Sequence, residues 1–185
     1  VLYRSTDAAS RPSWAVTTLL VPAAPVTPGG AALLVSYQIP YNTADVDASP
    51  SATLHLYARG TPQGLPNLAP DLVGILGRGL FLSVPDFEGP HAAFGAGPRA
   101  GYAVLDAVRA VLALDAVPGS AATARAALGG YSGGSIASVF AAELQAAYAP
   151  ELAVAAVAVG GVVANATQAL YAANKQATAS LIPAG

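Results

Sequence analysis

The feature that most restricts this chain is an alternation of two periods. Largely apolar runs of strand length (AVTTLLV at 15–21, ALLVSY at 32–37, GLFLSV at 79–84, LAVAAVAV at 152–159) are interleaved with stretches whose apolar residues return every three or four positions. A fully apolar run is buried on both faces, which in a sheet requires helices above and below it. Between Arg99 and Leu114, Val104, Leu105, Val108, Val111 and Leu112 form one helical face, and Arg99, Tyr102, Asp106 and Arg109 form the opposite, polar stripe. From Gly134, residues Ile136, Val139, Phe140, Leu144 and Tyr148 keep the same period until Pro150. Pro70 to Gly77 predicts a shorter helix, with Pro at its first turn and Asp71 near the positive end of its dipole. Arg125 to Tyr131 predicts a weak strand, and residues 39–68, rich in Pro, Asn, Asp, Ser and Gly, predict a loop. Together these elements predict an α/β fold, a mostly parallel sheet with helices on both faces.

Composition narrows what such a sheet can carry. The 185 residues, 54% of them hydrophobic, suffice for one buried core. Charge is sparse, 8 Lys+Arg against 10 Asp+Glu with no basic cluster, so the electrostatic footprint of a nucleic-acid or anionic-membrane partner is missing. Residues 152–174 are nearly uncharged, but Gly160, Gly161, Asn165, Thr167 and Gln168 interrupt them and argue against a membrane span. With no Cys, and only His55 and His91 as imidazoles without ligand-like spacing, no metal site is expected, and no cofactor. The chain starts at Val1 and holds no Met, where average usage predicts roughly three or four, so it reads as processed or partial.

Residues 129–138, GGYSGGSIAS, lie between the weak strand and the next helix. Gly130-x-Ser132-x-Gly134 there fits a nucleophile elbow, a sharp turn that lifts a serine hydroxyl above the sheet and needs small neighbours so that strand and helix can approach. Such a turn aims the Gly133 backbone N–H and the positive helix end at a developing oxyanion. A second donor is needed, and Gln38-Ile39-Pro40-Tyr41, after the strand ending at Tyr37, has no glycine run to supply it. The candidate is Pro85-Asp86-Phe87-Glu88-Gly89, at the carboxyl edge of the sheet where α/β sites form. On spacing alone, Asp86 and Glu88 read as two solvated carboxylates on a turn; as an oxyanion partner, Asp86 would have to present its backbone N–H or a protonated carboxyl.

Several segments together resemble the fungal secretory lipases: SYQ at 36–38, DASPS at 47–51, VPDFEGPHAAFGAG at 84–97, GYAVLDAVRA at 101–110, GGYSGGSIAS at 129–138 and AELQAAYAPEL at 142–152. The resemblance runs from about Tyr3 over nearly the whole chain. It implies a secreted, extracellular α/β-hydrolase that cleaves triacylglycerols and other lipid esters, at a lipid–water interface, through a Ser, Asp and His triad. By position, Ser132 matches the nucleophile, and Gly133 and Asp86 match the two oxyanion-hole residues. The chain departs from the family at Ala48, where relatives carry Cys in a D-C-x-P-S segment. It also has no Asp and no His after Ser132, only Glu143 and Glu151. His55 and His91 precede the serine and read as surface or loop residues. The expectation is therefore the N-terminal portion of a hydrolase, with core residues 1–160, a cap segment starting within 161–185, and the triad acid and base in further chain. Asn165-Ala166-Thr167 is a glycosylation acceptor triplet in such a secreted protein. Two alternatives stay open: a non-catalytic binding module on this fold, and a serine esterase or peptidase of another substrate class.

Overall fold

The computed structural model describes residues 1–58, 69–119, 123–165, 168, 171, 172 and 174. Its strands are β1 (Leu2–Thr6), β2 (Pro12–Leu20), β3 (Leu33–Gln38), β4 (Phe81–Pro85), β5 (Arg125–Tyr131) and β6 (Val154–Gly160). They form a six-stranded sheet in the order β1-β2-β4-β3-β5-β6. β1 and β2 pair antiparallel and β2 is antiparallel to β4, whereas β4, β3, β5 and β6 are mutually parallel. The helices are α1 (Pro50–Ala58), α2 (Ala69–Gly77), α3 (Gly97–Leu112) and α4 (Gly133–Tyr148). The expected mostly parallel sheet with helices on both faces is what forms.

Alternation along the central strands sorts the core into two layers. Leu34 on β3 and Phe81 on β4 belong to the cluster with Ala103, Val104, Val108 and Val111 of α3 and Ala137 and Ala141 of α4. Leu82 and Val84 on β4, with Val35 and Tyr37 on β3, pack instead with Leu54 of α1 and Leu72, Ile75 and Leu76 of α2. Every residue of β4 is buried, the signature of a strand covered above and below.

Four sequence expectations change. β1 was not foreseen, because LYRST carries a charge and only Tyr3 and Ser5 point inward. It exists through its ladder to β2 and the Tyr3 hydroxyl, which donates to the Ala103 carbonyl of α3 at 2.8 Å. α1 lies inside the expected loop, since PSATLHLYA shows no apolar stripe from which a helix could be read. Pro50 suits its first position, and its start is fixed from outside: Asp86 accepts the Ser51 N–H at 2.8 Å and the Ser51 hydroxyl at 2.6 Å. LAVAAVAV, expected to be buried on both faces, forms β6 with residues 155–159 exposed. On the polar stripe of α3, by contrast, two residues are buried. Arg99 is 4% exposed and Asp106 7%. Arg99 donates to the Phe87 and Trp14 carbonyls at 3.2 and 3.1 Å. Asp106 accepts from Arg109 and from the Tyr148 hydroxyl, both at 2.8 Å, and Arg109 continues to Glu151. The expected cap segment falls mostly outside the described residues.

Helices α3 and α4 cross where Gly101 faces Phe140. A Cβ at Gly101 would stand 2.8 Å from the Phe140 carbonyl carbon and 2.9 Å from Leu144 Cδ1. Gly101→Val should therefore push the helices apart and lower stability by about 1–3 kcal/mol, the range for overpacked cores, read as a drop in Tm of the full-length protein.

Candidate active site

The carboxyl ends of β3, β4, β5 and β6 lie along one edge of the sheet, and β5 runs there into the turn that starts α4. Ser132 occupies that turn with φ 53 and ψ −117, a conformation that L-residues rarely adopt and that costs about 1–3 kcal/mol. Three bonds hold it. The Ser132 N–H donates to the Gly160 carbonyl at the end of β6 at 3.0 Å, and its own carbonyl accepts from the Ser135 N–H at 2.9 Å and the Ser135 hydroxyl at 2.6 Å. The side chain is only partly buried and no bond ties its hydroxyl to a helix N–H. Gly133 follows as the first residue of α4, where backbone N–H groups have no intrahelical acceptor.

Missing side chains make the turn possible. A Cβ on Gly130 would overlap the Gly134 carbonyl, one on Gly134 would overlap the Gln38 carbonyl, and one on Gly133 would overlap Asn42 Oδ1. Beneath the turn lies a buried polar knot. Gln38, fully buried at the end of β3, bonds Ser36 Oγ at 2.7 Å and the Ser138 hydroxyl of α4 at 2.7 Å. With its amide turned over, its NH2 also reaches the Gly129 carbonyl of β5 at 2.7 Å while its oxygen accepts from Ser36 Oγ. Ser138 in turn donates to the Gly134 carbonyl at 3.0 Å. One amide thus ties β3, β5 and α4 together under Ser132.

Asp86 and Glu88 are both buried, at 7% and 1% exposure, which corrects their reading as solvated carboxylates. The Asp86 N–H donates to the Val16 carbonyl at 2.8 Å, so that group is already engaged, and its carboxyl caps α1 through Ser51. Burial pushes the Asp86 pKa above its ordinary value despite the opposing bonds from Ser51. Asp86 and Glu88 both follow β4, and β3, which precedes Asn42, stands between β4 and β5. Asp86 lines a cleft of about 210 Å³ with Trp14, Val46 and Ser51, whereas Gly133 shares a separate cavity with Phe87 and Glu88. Asn42 and Glu88 are polar residues of neighbouring loops brought against Gly133. Sequence reasoning passed over Asn42 and read Glu88 only as a solvated carboxylate, because strand order decides which loops meet and spacing does not reveal it.

The remaining candidates lie elsewhere. His55 on α1 and His91 in the turn Gly89–His91 are exposed, as is Glu143, while Glu151 pairs with Arg109. Asn165 is exposed and its Oδ1 accepts from the Gln168 N–H at 2.9 Å; Ala166 and Thr167 lie outside the described residues. Among the described residues no His, Cys, Asp and Glu cluster could hold a metal, and no helix is long and apolar enough to cross a membrane.

Two glycines of the same motif separate the steric account from a composition effect. A Cβ on Gly129 would meet nothing nearer than 3.5 Å, in contrast to the backbone overlap at Gly134. Gly134→Ala should destabilise the protein by about 2 kcal/mol or more, while Gly129→Ala leaves the melting temperature nearly unchanged.

The family model described as "Secretory lipase" matches residues 70–184. Among curated proteins, the chain is 46% identical to the trichothecene C-3 esterase of Fusarium sporotrichioides over 99% of its own length, and 41% identical to lipase A of Arthroderma benhamiae over 100%. It spans 41% and 39% of the length of those two relatives. Among solved structures, Candida antarctica lipase A in its closed state superposes with a TM-score of 0.83 at 30% identity, covering 97% of this chain and 41% of that one. An esterase LipA from Xanthomonas oryzae, at 19% identity and a TM-score of 0.61, shares the fold alone. The chain belongs to the secretory lipase family and carries the α/β-hydrolase fold.

Proposed function

We propose that this chain is the nucleophile-bearing part of a secreted serine hydrolase of lipid esters. The observation that carries the reading is Ser132 itself, a partly exposed serine held at positive φ on a strand-to-helix turn, followed by the first N–H groups of a 16-residue helix. In that reaction Ser132 Oγ attacks the ester carbonyl carbon as a base takes its proton. The carbonyl oxygen becomes an oxyanion, facing the Gly133 N–H and the positive end of α4. Collapse breaks the bond to the alcohol, which leaves with the proton from the base, and water then hydrolyses the acyl-enzyme. Asp86 is assigned as the second oxyanion partner. Because its N–H is bonded to Val16, its contribution would come from the carboxyl in its protonated form, which burial favours.

The triad acid and base are assigned to chain outside residues 1–185. No Asp or His follows Ser132 within them, and the exposed His55 and His91 are not placed at the turn. The exposed Val157 and Val159 of β6 offer an apolar strand on which further sheet would pack. Residues 161–185 are assigned as the start of a lipid-facing cap, with Asn165 as a glycan site. A second reading, hydrolysis of a smaller ester in place of an acylglycerol, is favoured by the 46% identity to a trichothecene C-3 esterase.

Comparing hydrolysis of long-chain triacylglycerol emulsions with that of soluble short-chain esters and trichothecene C-3 esters separates the two substrate readings. In the full-length enzyme, Ser132→Ala should reduce kcat by on the order of 10⁴ or more. Asp86→Ala should cost about a hundredfold in kcat if its carboxyl donates to the oxyanion, and Asp86→Asn, which keeps a donor, much less. Undiminished turnover in Ser132→Ala would remove the serine mechanism.

A further inference from the structure

Glu88 is the carboxyl that the proposed reaction does not use. It is 1% exposed, and neither oxygen has a hydrogen-bond partner. It lines a cavity of about 10 Å³ with Phe87, Phe94, Gly133, Ile136 and Ala137, so it looks onto the N-terminus of α4 from the opposite loop. The side chain cannot readily leave. Its own N–H donates to the Tyr41 hydroxyl at 2.7 Å and its carbonyl accepts from the Ala93 N–H at 2.9 Å. The segment is clamped further where Arg99 bonds the Phe87 and Trp14 carbonyls and its guanidinium fills the space a Cβ on Gly89 would need. The carboxyl is already enclosed by described residues.

We propose that Glu88 is a positioning residue for the oxyanion site, a carboxyl that must be uncharged for Gly133 and the first turn of α4 to receive the ester oxygen, so that its ionisation sets an upper pH limit on turnover. The inference rests on the serine-hydrolase reading. An anion formed in this cavity would face no side-chain cation among the described residues, only the positive end of α4 that the oxyanion would need. The 39–43 loop contributes the Tyr41 hydroxyl, already an acceptor, and the Thr43 N–H, which favours the charged form without making an aligned bond. α3 contributes Arg99, committed to two carbonyls; the segment's own titratable neighbours are Asp86 and the exposed His91; the lining residues of α4 are Gly133, Ile136 and Ala137. A carboxylate here would oppose the oxyanion directly and would draw water in by displacing the loop. Burial pushes the Glu88 pKa up to about 7, with the Thr43 N–H opposing.

The folded pKa lies above the unfolded value near 4.3, so the stabilisation is complete below about pH 4 and is lost as pH rises through about 7. The test is the pH profile of kcat for the full-length enzyme and for Glu88→Gln, at a temperature well below melting at every pH. The wild type should lose about fifty-fold in kcat between pH 7 and pH 9, as expected when only the protonated form turns over. Glu88→Gln should stay flat across that range and, relative to wild type, melt higher at pH 8 than at pH 4. A wild-type profile without an alkaline limb up to pH 9, or a limb that persists unchanged in Glu88→Gln, overturns the proposal. A change confined to melting shows a structural role only and also overturns it. If Glu88→Gln does not fold, the Glu88 pKa measured by 13C NMR of the wild type decides: coincidence with the kinetic limb supports the inference and mismatch refutes it. The Ser132→Ala measurement tests the serine mechanism separately, so the two failures are distinguishable.

Discussion

The structure depends on how closely α4 can approach the ends of β3 and β5. That approach is set by three positions without side chains, Gly130, Gly133 and Gly134, where a Cβ would overlap a carbonyl of the turn, Asn42 Oδ1 or the Gln38 carbonyl. Only with those gaps empty can Ser132 hold φ 53 and ψ −117 while its N–H bonds β6 and its carbonyl bonds Ser135. The strain, about 1–3 kcal/mol, is offset by a buried network centred on Gln38 and Ser138. A polar side chain fully buried beneath a strained turn has to be satisfied throughout, since one lost partner would leave an orphaned amide or hydroxyl.

Buried charge is handled in a similar way on the neighbouring loop. Arg99 spends its guanidinium on two backbone carbonyls, and Asp86 spends its carboxyl on the first turn of α1. Both groups join segments far apart in sequence at the carboxyl edge of the sheet. Glu88 is the exception, with no partner for its oxygens. A clamped loop thus holds one unsatisfied acid in the cavity that Gly133 also lines.

Much of this was legible in the sequence. The apolar runs that became β2, β3, β4 and β6 are short, nearly uncharged and bounded by turn residues, so length and flanks marked them as strands. The tight strand-to-helix turn at Ser132 was legible because its glycines and serine are contiguous. Elements fixed by tertiary contacts were not legible: β1 needs its ladder to β2, and α1 needs Asp86, 35 residues away, as a cap. The burial of Arg99, Asp106 and Glu88 was hidden for a related reason. A polar residue on a helix stripe or a turn looks solvated until the packing of its neighbours is known. Strand order, which interposes β3 between β4 and β5, also lies beyond local pattern. It brings the loops after β3 and β4, which carry Asn42 and Glu88, to Gly133.

The account stands most directly on the reactivity of one hydroxyl. Reaction of the full-length enzyme with a fluorophosphonate, followed by tryptic digestion and fragment-ion sequencing, locates the adduct. The expected result is one phosphonyl group per molecule, on the peptide that begins at Ala126 and with fragment ions placing it on Ser132. An adduct on Ser135, Ser138 or a serine of another peptide, or no adduct in an enzyme that is turning over ester, would contradict it.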